Sequence, residues 1–132
     1  MIRLALPLLL LAVPAWAQPC PFAGQTPMLV VQLFFGQSRA GAEPISHRAW
    51  ERFVADTVTP QLPDGFTLTA GYGQFMDPAS RTIGREQTEV LLVAAPDSPA
   101  LRERITAIAD AYRRRFAQRS VGIVSLPGCA GF

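Results

Sequence analysis

The chain predicts a single α+β domain with the element order β-α-β-β-α-β. Three observations carry that reading. Four short segments rich in apolar, β-branched or aromatic residues are bounded by Gly, Pro or Asp signals. Two stretches of helical periodicity separate the first from the second and the third from the fourth. The middle two are joined by a short polar loop with no helix. This order is the ferredoxin-like plait, in which right-handed crossovers give a four-stranded antiparallel sheet, spatial order 4-1-3-2, with two helices on one face.

The first strand is MLVVQLFFG (28–36), ended by Gly36, and a polar loop (37–44) follows. Ser46 then starts a helix, its hydroxyl placed to accept from the exposed N–H groups of the first turn. Ile45 and Trp50 have the spacing of a hydrophobic staple. Trp50, Phe53, Val54 and Thr57 or Val58 recur at helical spacing, and Pro60 is expected to end the helix near Thr59. Asp64-Gly65 marks the turn into the second strand (66–75), where Gly71 and Gly73 point to a bulge or a close backbone approach. A hairpin loop (76–84) leads to the third strand (85–95). Ser98 caps the second helix with Pro99 at its first position. Leu101, Ile105, Ile108, Tyr112 and Phe116 form its apolar stripe, and Arg113, Arg114 and Arg115 sit near the negative end of its dipole. The fourth strand is 121–127.

Strands one and three are apolar on both faces, which suits the centre of the sheet. Helices cover only one side, so the other exposes Val30, Phe34, Leu91 and Val93, or their alternates. A patch of that kind marks an interface or a ligand site. Either a second copy covers it, giving a homodimer, or the loops and the leader do.

Residues 1–17 read as a signal peptide: Arg3 is the positive region, Leu4–Val13 the apolar run, and Ala15-Trp16-Ala17 an A-x-A cleavage site. The run is shorter than the ~20 residues that a spanning helix needs, so no membrane anchor is expected after cleavage. The chain from Gln18 begins with an extended leader (18–27), and the domain is 28–132. A periplasmic or secreted location follows. The 12 basic side chains, all arginine, nearly balance 10 acidic ones, which does not suit a nucleic-acid binder. Pro19 stands directly before Cys20, where a lipoprotein signal needs a small residue. The topology brings Cys20, before strand one, and Cys129, after strand four, to one corner of the sheet. In an exported chain two such cysteines pair, closing a loop of about 110 residues.

Candidate chemistry is sparse. His47, the only histidine, lies in a first helical turn and reads most simply as a surface side chain. The composition implies no metal site, and no phosphate loop or dinucleotide fingerprint is present, so no cofactor is implied. One polar group stands out on the central hairpin: Tyr72, Gln74, Glu86 and Thr88, with Arg85 and Glu89 nearby. If strands two and three pair with Gln74 near Glu86, the group lines a pocket against the apolar sheet. Otherwise it is a solvent-facing strand end with ordinary cross-strand pairs.

The segments LFFGQS, W..FV...VTPQLPDGFT, GYGQF.D and GREQTEVLLV together resemble a family of small exported bacterial proteins known as a domain of unknown function. The resemblance spans roughly Leu29–Val124. It implies the same exported, single-domain design and brings no activity with it. Glu89 departs from the family pattern, which has a basic residue there. The expected function is a non-enzymatic module that binds a small ligand or a partner. The alternative is a small cofactor-independent isomerase, lyase or oxygenase of the dimeric α+β barrel type, with Glu86 or His47 as its acid-base group.

Overall fold

A computed structural model describes residues 19–132, and the expected signal peptide (1–17) lies outside the described residues. Four strands, β1 (Thr26–Gly36), β2 (Thr67–Met76), β3 (Ile83–Ala95) and β4 (Gly122–Ala130), form one sheet of order β2-β3-β1-β4. Every neighbouring pair is antiparallel. This is the expected order 4-1-3-2 viewed from the opposite edge. The most apolar strands take the centre, where both hydrogen-bonding edges are paired and one face lies under the helices.

Helix α1 (His47–Phe53) is capped by Ser46, whose Oγ accepts from the Ala49 N–H at 3.3 Å. Ile45 and Trp50, the two residues of the expected staple, are both buried. The helix does not fail at Thr59. It passes through a π-helical turn (Val54–Val58) into a short α2 (Thr59–Gln61) that contains Pro60. The Thr59 N–H bonds to the Val54 carbonyl, five residues back. That extra residue shifts the hydrogen-bond register, and Pro60 then occupies a first-turn position where its missing N–H is not needed. Helix α3 (Pro99–Phe116) starts at Ser98, which accepts from the Leu101 N–H at 3.1 Å. It ends on Ala117 in the left-handed conformation, with the Ala117 and Gln118 N–H groups both on the Arg113 carbonyl. No described helix is long and apolar enough to cross a membrane.

The core lies between the sheet and the helices. Val31, Leu33 and Phe35 of β1 and Leu91 and Val93 of β3 meet Trp50, Phe53, Val58 and the whole predicted stripe of α3. Leu91 and Val93 are therefore buried, not on the open face. The register pairs Phe34 with Val90 and Gln32 with Leu92, so the alternates Val90 and Leu92 face outward beside Val30 and Phe34. Cys20 and Cys129 form the expected disulfide, with 5.7 Å between their Cα atoms. The leader does not stay extended up to β1: it bends at Phe22–Gln25, and Thr26 and Pro27 already belong to the strand. β3 pairs with β1 only as far as Thr88 opposite Gly36, so the β2–β3 hairpin continues past the sheet as an arm. On that arm the Phe75 ring covers Gly84 and leaves no room there for a Cβ.

Candidate ligand cleft

A cleft of about 640 Å³ opens where β1 ends. Its floor is the open face of the sheet: Phe34 and Gly36 of β1, Glu86, Thr88 and Val90 of β3, Gly71 and Gly73 of β2, and Gly122 of β4. The register explains this composition. Gly36 and Gly71 both lie opposite Thr88, Gly73 lies opposite Glu86, and Gly122 lies opposite Phe34. Directly paired residues share a face, so four glycines fall on the same side and leave space where side chains would stand. Two loops form the walls: Arg39 and Ala40 before α1, and Ala117–Ser120 after α3. The Gln118 amide donates to the Ser38 carbonyl at 2.7 Å and ties these loops together.

The half-buried Glu86 side chain lies across Gly36. A Cβ at Gly36 would sit 2.6 Å from Glu86 Oε2, so only glycine leaves the carboxylate in this position. Glu86 takes part in none of the ion pairs found among the described residues, which join His47 to Glu51, Asp97 to Arg102, Asp110 to Arg113 and Asp56 to Arg115. The charge facing the cleft is therefore met by no cation among the described residues within ion-pair distance. At the tip of the arm the Ser80 N–H, donated to Asp77, holds that carboxyl below the usual range, with a smaller contribution from Arg119.

Gly36 is held from behind. The Tyr112 hydroxyl donates to its carbonyl at 2.8 Å and accepts from the Gln37 amide at 3.1 Å, and that amide also donates to the Phe35 carbonyl at 2.9 Å. Burial pushes the Tyr112 hydroxyl well above the normal tyrosine value. The Gln37 hydrogen bond opposes this, while the negative charges of Glu86 and Glu89 add to it. An unfolded tyrosine ionises near pH ~10, so above that pH the folded state holds more protons. Stability is then intact below pH ~10 and falls as the pH rises past it. Tyr112→Phe is expected to cost about 1–3 kcal/mol at neutral pH by stranding its partners and to flatten that alkaline fall. Urea unfolding over a pH series checks this, and an identical alkaline fall in the variant would rule it out.

Of the residues marked from sequence, Glu86 and Thr88 lie on the floor and Tyr72 borders it. Gln74 is not brought to the cleft. The pairing is one residue off the expected one: Glu86 faces Gly73, and Gln74 faces Arg85, whose Nε donates to Gln74 Oε1 at 3.0 Å. A shift of one residue reverses the face. His47 and Glu89 border a separate shallow cleft with Trp50 and Glu51. Among the described residues no three His, Cys, Asp or Glu side chains are grouped to hold a metal. Sequence reasoning missed Gly36, Gly122, Arg39 and Arg119. Gly36 is visible as strand punctuation, but the face it shares with Gly122 depends on register.

No curated protein matches the chain. Among solved structures, a phage SAM lyase in complex with S-methyl-5'-thioadenosine is similar in fold, with a TM-score of 0.58 at 15% identity, over 80% of this chain and 90% of that one. The phage SAM lyase in its apo state gives 0.56 at 15% identity, over 80% and 92%. At that identity the likeness concerns the fold alone. Residues 31–132 match the family described as "Protein of unknown function (DUF3574)", and the chain belongs to that family.

Proposed function

We propose that the protein binds a small molecule in the cleft, through a positively charged or hydrogen-bond-donating group set against Glu86. The single observation that carries this reading is the half-buried Glu86 carboxylate, lying over a glycine floor and outside every ion pair described. Phe34 and Val90 offer the apolar contact that concave sites use for the body of a ligand. Arg39 and Arg119 on the walls suit an anionic group at the other end, so a zwitterion of amino-acid size is the best fit. The disulfide supports action in an oxidising compartment, periplasmic or secreted. Screening small cationic and zwitterionic metabolites by thermal shift and calorimetry tests the proposal. The best binder is expected to lose about 10–100-fold in affinity with Glu86→Gln, the size of one charge-assisted hydrogen bond. Unchanged affinity would remove Glu86 from the site.

The likeness to a lyase favours a second reading, in which Glu86 acts as an acid-base group on the bound molecule. Incubation with SAM and chromatography for S-methyl-5'-thioadenosine tests it. Absence of product at high protein concentration ends this reading and leaves the binding proposal standing.

A further inference from the structure

We infer that the open face of the sheet is the seat of a second copy of this chain, which roofs the Glu86 cleft. The face carries Met28, Val30, Gln32 and Phe34 of β1, Val90 and Leu92 of β3, and Val124 and Leu126 of β4. None of these is charged, and the carboxylate on this face, Glu86, lies at the cleft end. Leu126 is 51% exposed, Val124 46% and Leu92 39%, with the disulfide-tethered leader in place. The described leader therefore does not cover them. Strands ~4.8 Å apart and about seven residues long at ~3.4 Å each give a flat footprint of roughly 450 Å². Side-chain relief adds to this flat footprint, which compares with the ~800 Å² per partner of a stable interface.

Charge and polarity point to a second copy. An isologous contact must suit itself. Gln32 sits at the middle of central strand β1, with Thr67 and Thr69 out on edge strand β2. An amide both donates and accepts, so two Gln32 amides satisfy each other across a two-fold axis. An axis that crosses the strands at Gln32 stacks the two β1 strands face to face in opposite directions. It sends the two Glu86 carboxylates to opposite ends and lays the partner's apolar Met28 and Leu126 end across the cleft mouth. The roof rests on the binding proposal, but its tests need no ligand.

Native mass spectrometry and light scattering of the purified protein across micromolar concentrations are expected to show a dimer. Leu126→Glu and Val124→Glu, on the open face, are expected to give monomers. Ile123→Glu, equally exposed on the other face of the same strand, is expected to remain dimeric. Circular dichroism and an intact disulfide establish folding of each variant. A monomeric native protein, or a dimer untouched by either open-face variant, overturns the inference. The roof is read by coupling an amine to carboxylates with a water-soluble carbodiimide. Glu86 labelling is expected to rise several-fold in the monomeric variants while that of the exposed Glu51 is unchanged. Equal Glu86 labelling in dimer and monomer overturns the roof. Glu86→Gln is expected to dimerise normally, so failure of the binding proposal and failure of the dimer are distinguishable.

Discussion

Reduction of the Cys20–Cys129 bridge is expected to lower the free energy of unfolding by about 4–5 kcal/mol. The bridged residues are 109 apart in sequence, so the bond constrains nearly the whole described chain when it unfolds. In the chain-entropy account the constraint grows with the logarithm of loop length. A domain of this size has only ~5–15 kcal/mol of net stability. The bridge is therefore a large fraction of it, and the melting temperature is expected to fall by roughly 15–25 °C. The bond also pins the start of β1 beside the end of β4, where Pro27 lies opposite Cys129. Urea and thermal unfolding with and without reductant, and with Cys129→Ser, provide the measurement. A loss below about 1 kcal/mol would mean that structure in the unfolded chain cancels the constraint.

Phe53→Ala is expected to cost about 3–5 kcal/mol. Phe53 is fully buried at the centre of an aromatic cluster. Its ring centroid is 5.3 Å from Tyr112, 5.8 Å from both Trp50 and Phe116, and 6.2 Å from Phe35. The Arg115 guanidinium lies 5.9 Å from the same ring. Rings packed from several sides cannot collapse into the void, so both the transfer and the cavity contributions are lost. The damage reaches the cleft, because Tyr112 holds the Gly36 carbonyl and rests against Phe53. Phe75→Ala on the exposed arm is the contrast, with an expected loss under about 1 kcal/mol. Similar urea midpoints for the two variants would refute this account of the core.

Much of the fold was legible along the chain because the relevant signals are local. The α3 stripe, both serine caps and the apolar excess of β1 and β3 each follow from residues a few positions apart. From these the element order and the strand order followed, and the strand order placed the two cysteines at one corner. The π turn was not legible. It depends on how Phe53 and Val58 reach the core together, and it reverses the expectation that Pro60 ends the helix. The cleft was half legible. Glu86, Thr88 and Tyr72 stand out along the chain as a polar group on one hairpin, and all three border it.

Gln74 was lost because pairing register has a period of two, so a slip of one residue moves a side chain to the other face. The same parity put Val90 and Leu92, not Leu91 and Val93, on the open side. The walls of the cleft come from loops more than 70 residues apart, joined by the Gln118 amide on the Ser38 carbonyl, and no local pattern reports such a contact. Short-range chemistry thus settles which elements form and in what order they lie. Packing settles which face each residue takes and which distant loops meet, because those outcomes depend on register and on contacts between segments remote in the chain.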